Sequence, residues 1–144
     1  MEELFRKEAL QIEYGSMDWQ DAVRVTGKLL LDIGSVEEGY IQAMIDAVND
    51  FGPYIVIIPH VALAHAAAET HVINNDVVLL VFKEPIIFNS ENDPVHMIIG
   101  LCALKIDSHK EQLKKISKLL DDEDLIEKLL GCDSIEQVYE VVNR

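Results

Sequence analysis

Two long apolar runs, Val77–Phe82 and Val95–Leu104, constrain the fold of this chain more than any other feature. Neither alternates apolar with polar residues, so both read as central strands covered on both faces. A sheet covered twice needs helices on each side, and the flanking segments supply them. Upstream, Trp19, Ala22, Val23, Leu29, Leu30 and Ile33 recur at helical spacing, with Ser16 as the expected cap and Gly34 past the end. Ser35 with Glu38 reads as a capping box for a second helix carrying Tyr40, Ile41, Met44, Ile45 and Val48, which Gly52-Pro53 stops. Downstream, Ser108 with Glu111 opens a helix that buries Leu113, Ile116, Leu119 and Leu120. Glu123–Leu130 and Ile135–Val142 predict two shorter helices, the second started by Ser134 with Gln137. The expectation is an α/β fold, a mixed β-sheet sandwiched between layers of helices in a single domain.

The other strands are weaker signals. Leu10–Tyr14 alternates and is expected at a sheet edge after a short helix over Glu2–Ala9. Four β-branched residues, Ile55 to Ile58, predict a buried strand that Pro59 ends. Ile86–Phe88 predicts a further strand fragment, and Asn89–Pro94 a polar turn. At 144 residues the chain suits one domain, 1–144, with no Pro/Gly/Ser-rich segment to divide it. No apolar run approaches membrane-spanning length and the start is unlike a signal peptide, so a cytoplasmic location without membrane insertion is expected. With 12 Lys+Arg against 26 Asp+Glu the net charge is −14, which argues against nucleic acid and either favours approach by a basic protein surface or serves solubility alone.

The candidate chemistry lies in Ile55–His71, IVIIPHVALAHAAAETH, which holds three of the five histidines: His60, His65 and His71. A loop leaving a strand end in an α/β chain is where ligands usually sit. One reading of three imidazoles is a zinc site, although HExxH is absent and the nearby carboxylates are limited to Glu69 and Asp76. The other histidines, His96 in a strand and His109 in the first turn of a helix, have bland readings as a satisfied or edge histidine and a surface residue. Phosphate-loop and nucleophile-elbow motifs are absent, so no nucleotide donor and no cofactor are expected. Cys102 lies deep in the apolar run MIIGLCAL and reads as a small core residue; Cys132 forms no CxxC with it.

GPYIVIIP before an Ala-Leu-x-His-Ala loop, the ENDPV turn, and a histidine opening the following helix together resemble the IIA component of the sugar phosphotransferase system. The resemblance covers about residues 16–143 and is to the mannitol/fructose-type superfamily, closest to the ascorbate-type branch. It implies a phosphotransferase with a phosphohistidine intermediate. The loop histidine would take a phosphoryl group from phospho-HPr and pass it to a cysteine of a IIB component during uptake of ascorbate or a related sugar. The matching residue is His65, and the second, assisting histidine matches His109. A IIA-like regulatory domain that signals by its phosphorylation state is an alternative, and a homodimer is compatible with the sequence. Imidazole suits the shuttle because it is a neutral nucleophile and, once protonated, a good leaving group. A helix start at His109 would offer unpaired N–H groups to phosphoryl oxygens.

Three departures from the family pattern bear on the site. Ala64 stands where a proline precedes the histidine, His60 stands where a glycine is usual, and Ala67-Ala68 replaces an Arg-Pro pair. The arginine's charge would then have to come from backbone donors, from His109 or His60, or from the partner.

Overall fold

The computed structural model describes residues 3–67, 69–105 and 110–143. Its strands are β1 (Leu10–Glu13), β2 (Val56–Ile58), β3 (Val61–Ala64), β4 (Asp76–Ile86) and β5 (Val95–Cys102). Its helices are α1 (Trp19–Asp32), α2 (Glu38–Phe51), α3 (Lys110–Leu120), α4 (Leu125–Leu130) and α5 (Ile135–Val142). Short 3-10 turns span Lys7–Ala9 and Glu69–His71. The strands form one sheet in the order β1-β4-β5-β3-β2. Pairs β1–β4 and β3–β5 are parallel, while β4–β5 and β2–β3 are antiparallel, so the sheet is mixed as expected.

Successive strand residues point to opposite faces, and the central strands bury both. Val78, Leu80 and Phe82 of β4 pack with Ala62, Ala64 and Ile98 under α1 and α2. Val77, Leu79 and Val81 pack with Val61, Met97, Ile99 and Leu101 under α3, α4 and α5. This is why neither run alternates in hydropathy. At Gly100 a Cβ would lie 2.7 Å from both Thr26 Cγ2 and Val78 Cγ2, so only glycine lets α1 sit this close to β5.

The helix ends differ in detail from expectation. Asp18, not Ser16, caps α1, its carboxylate accepting from the Asp21 N–H at 2.8 Å. Ser35 does not cap α2, whose N-cap is Glu37 without a side-chain bond. Instead the buried Ser35 hydroxyl donates to Asp76 Oδ2 at 2.5 Å, and Arg6 donates to the same oxygen at 2.9 Å. The buried carboxylate takes the hydroxyl because Asp76 needs donors more than an exposed helix start does. Gly52, at φ +86, ends α2 as expected, and Ser134 caps α5 by accepting from Gln137 N–H at 3.2 Å. The Ser108 cap lies outside the described residues.

The largest correction concerns the strand before the histidines. Residues 55–58 do not make a wholly buried strand, although Ile55 and Val56 are buried. Val56–Ile58 is a short edge strand, and Ile57 is 42% exposed. After the turn at Pro59-His60 the chain returns as β3, held between β2 and β5. Its sequence, VALA, contains two alanines, poor strand formers that read as loop. Burial between neighbours overrides that weak propensity. Further along, the expected fragment at Ile86–Phe88 is partly the end of β4, where Ile86 pairs with Val95.

Candidate functional site

His65 is the first residue past β3, where the chain leaves the sheet, and it is half-buried. Its Nδ1 lies 2.9 Å from the Leu63 carbonyl oxygen. A carbonyl can only accept, so Nδ1 carries the proton and donates, which leaves the lone pair on Nε2. The Tyr54 ring stands edge-on to the imidazole, with centroids 5.7 Å apart and planes at 83°. Phe51 in turn meets Tyr54 edge-on at 6.3 Å. One ring nitrogen is thus tied to the chain and the ring plane is braced by a neighbour. The arrangement can present Nε2 as a nucleophile in a fixed direction.

The backbone beyond His65 is anchored by a residue that sequence reasoning placed only as an apolar helix position. Tyr40 of α2 is 1% exposed. Its hydroxyl donates to the Leu101 carbonyl at 2.7 Å and accepts from the Ala66 N–H at 3.1 Å. Burial pushes its pKa up to about 12, and the Ala66 backbone bond pulls the other way. The hydroxyl therefore keeps its proton and can donate at neutral pH. The only sequence signal was a tyrosine on a buried helical stripe, where the O–H must find a partner. Further on, Glu37 N–H donates to His71 carbonyl at 2.7 Å and Val36 pairs with Val72, so the segment after His65 is fastened to the α1–α2 connection.

The other histidines are placed elsewhere. His60 lies at the opposite end of β3, five residues away, which at the rise of an extended strand is about 16 Å. At that distance it cannot supply charge at His65, which removes one of the alternatives for the missing arginine. Its φ of +72 explains why a glycine suits that position, and its Nδ1 meets the Pro94 carbonyl oxygen at 2.7 Å. His96 Nδ1 meets the Phe82 carbonyl oxygen at 2.8 Å, a satisfied histidine as expected. His71 stands at the surface, with Nδ1 3.7 Å from Glu37 Oε1 and its ring against Gly39. The three imidazoles of the metal reading thus have separate surroundings. Among the described residues no group of three His, Cys, Asp or Glu could hold a metal ion. His109 lies outside the described residues.

Charge near His65 does not come from the arginines that are described. Arg6 pairs with Glu8 and Asp76, and Arg24 with Asp21. Cys102 is fully buried, its Sγ 3.3 Å from the Asn74 carbonyl oxygen. Burial first, and then nearby Asp76, push its thiol up to about 12, which makes it inert as a nucleophile. No helix among the described residues is long and apolar enough to cross a membrane.

Comparison with known proteins agrees with this fold. Residues 3–144 match the family described as Phosphoenolpyruvate-dependent sugar phosphotransferase system, EIIA 2. The mannitol-specific cryptic phosphotransferase enzyme IIA component of Escherichia coli is 30% identical over 144 residues, covering 100% of this chain and 98% of the relative. The ascorbate-specific EIIA component of the same species is 32% identical over 143 residues, covering 98% and 93%. The solution structure of the cryptic mannitol IIA superimposes with a TM-score of 0.85, at 30% identity over 98% of each chain. Enzyme IIAMTL of Escherichia coli, solved in complex with phosphorylated enzyme IIBMTL, gives 0.83 at 26% identity over 96% of each chain. With the fold, the strand-end histidine and these matches along nearly its whole length, the chain belongs to the EIIA type 2 family of the phosphoenolpyruvate-dependent sugar phosphotransferase system.

Proposed function

We propose that the protein is a cytoplasmic phosphoryl carrier that accepts a phosphoryl group from phospho-HPr on His65 and passes it to a cysteine of a IIB component during sugar uptake. The observation that carries the reading is the Nδ1–H bond from His65 to the Leu63 carbonyl, which leaves Nε2 as the available lone pair. In the first step Nε2 forms a bond to phosphorus while the bond from phosphorus to the donor imidazole breaks, its electron pair returning to that ring. The His65 ring gains positive character as its N–P bond forms, and Leu63 stabilises it by accepting from Nδ1–H. In the second step a IIB thiolate attacks phosphorus and the N–P electrons return to Nε2. Proton placement on Nδ1 is unchanged throughout, so the same tautomer serves both directions.

The equatorial oxygens of a phosphoryl group in flight need positive charge or N–H donors. His109 is assigned the assisting role that the family pattern implies. The sugar is of the ascorbate or mannitol kind, as with the relatives compared above. The net charge of −14 suits a basic donor surface that docks and leaves quickly.

The test is incubation with HPr, Enzyme I and phosphoenolpyruvate, read by intact mass. A gain of one phosphoryl group in the wild type and none in His65→Ala is expected. Equal labelling of both proteins would refute the assignment of His65.

A further inference from the structure

The position of the Tyr40 hydroxyl gains meaning from the register of the β3–β5 ladder. The strands run parallel, with Val61 opposite Met97, Ala62 opposite Ile98, Leu63 opposite Ile99 and Ala64 opposite Gly100. Met97 N–H donates to the His60 carbonyl at 3.2 Å, which fixes the parity of the bonds. In a parallel ladder a bonding residue joins the neighbours on either side of its partner. Met97, Ile99 and Leu101 are therefore the β5 residues whose peptide groups face β3. The next rung would join the Ala66 N–H directly to the Leu101 carbonyl. Those are the two groups that the Tyr40 hydroxyl bridges, accepting from one at 3.1 Å and donating to the other at 2.7 Å.

We propose that Tyr40 is a positioning residue for phosphoryl transfer: its hydroxyl, inserted as a rung between Ala66 and Leu101, turns the chain out of the sheet at His65 and holds Nε2 outward. This rests on the reading of His65 as the phosphoryl acceptor. A direct rung would span about 2.9 Å, whereas the inserted oxygen makes two consecutive bonds of 3.1 and 2.7 Å. The strand ends are thereby spread by the width of an oxygen at the residue after the histidine. Without the hydroxyl, Ala66 N–H and Leu101 C=O are drawn onto each other, because neither can stay unpaired beside the core without cost. Closing that rung carries β3 one step further and drags His65 toward the sheet. The bond from His65 Nδ1 to Leu63, two residues back, depends on the chain bending away at this point.

The test is Tyr40→Phe in the full-length protein, which keeps the buried ring and removes only the oxygen. Two readouts are taken on folded protein: the single-turnover rate of phosphorylation from phospho-HPr, and the His65 tautomer from long-range proton–nitrogen correlation. The rate is expected to fall roughly tenfold, the equivalent of one hydrogen bond's worth of orientation. The His65 ring is expected to pass from Nδ1–H alone to a mixture of tautomers, which a purely structural role for Tyr40 would not produce. If either readout matches the wild type, the proposal is overturned. Should the variant not fold, the wild type decides the matter. A slowly exchanging Tyr40 hydroxyl proton with a cross-relaxation peak to the Ala66 amide proton supports the inserted rung, and its absence overturns it. Failure of the wild type to be labelled at His65 would instead refute the carrier function, and the tautomer measurement would still report on the rung.

Discussion

Replacing His65 by asparagine separates what this residue does for the fold from what it does for the chemistry. In His65→Ala the protein loses the Nδ1–H bond to Leu63 and the edge contact with Tyr54. A neutral hydrogen bond contributes about 0.5–1.5 kcal/mol net and an aromatic pair about as much when buried, so at this half-exposed position the expected loss is about 1–2 kcal/mol. Asparagine places its amide nitrogen where Nδ1 stands and can donate to the same carbonyl, but it has nothing at the place of Nε2. His65→Asn is therefore expected to recover about 1 kcal/mol of that loss, measured by urea unfolding. It should show no phosphorylation at all. The complementary measurement is nitrogen-15 NMR on phosphorylated wild-type protein, expected to place phosphorus on Nε2 with the proton still on Nδ1. Phosphorus on Nδ1 would refute the reasoning, since that nitrogen is bonded to Leu63. So would equal stabilities for the alanine and asparagine variants.

Three further outcomes follow from other parts of the molecule. Asn143 is 4% exposed, accepts from the N–H groups of Leu4 and Phe5, and donates to the carbonyls of Phe5 and Tyr139. Asn143→Ala leaves several of these groups without partners and should lower stability by about 3 kcal/mol in urea unfolding. Cys102 and Tyr40, each held up to about 12, bind protons in the folded state that the unfolded chain has released between pH 9 or 10 and pH 12. With more protons bound to the native state, unfolding free energy falls as pH rises through that window, and Cys102→Ala should flatten the fall seen by calorimetry. His109→Ala should slow single-turnover transfer from phospho-HPr by about ten- to a hundredfold if its ring supplies one charge-assisted bond. An unchanged rate would remove His109 from the transfer step.

The sheet core was legible in the sequence because strands buried on both faces advertise themselves. Val77–Phe82 holds no polar residue and Val95–Leu104 only His96, far fewer than a solvated face would carry. Their identity as β4 and β5, and the helices about them, followed from spacing alone. Two kinds of feature were not legible. Ser35 has the spacing of a capping box, but its hydroxyl is claimed by Asp76, forty-one residues away in sequence, and local pattern carries no trace of such a partner. β3 was hidden because Val61–Ala64 is short, half alanine, and begins two residues after Pro59. Its strand conformation comes from lying between β5 and β2, which is tertiary context. The same holds for Tyr40, whose helical position was evident and whose hydroxyl partners were not.

The substitutions at the two ends of β3 have different consequences, and the structure gives the reason. His60 adopts φ +72, a conformation that costs a side-chain-bearing residue about 1–2 kcal/mol relative to glycine. Its Nδ1 bond to Pro94 and its backbone bonds with Asn92 and Met97 offset that cost locally, a strand's length from His65. The effect belongs to the stability of the hairpin and not to the chemistry. Ala64 adjoins the histidine. A proline there would fix φ but would contribute no N–H, whereas the register directs the Ala64 N–H toward β5 at Ile99. Alanine thus extends the ladder to the residue before His65 and leaves the turn-out to be enforced at Ala66, by the Tyr40 hydroxyl. A covalent constraint on the approach to the histidine is replaced by a hydrogen-bonded one immediately after it. Such a constraint depends on a single oxygen, so losing the Tyr40 hydroxyl removes it at once.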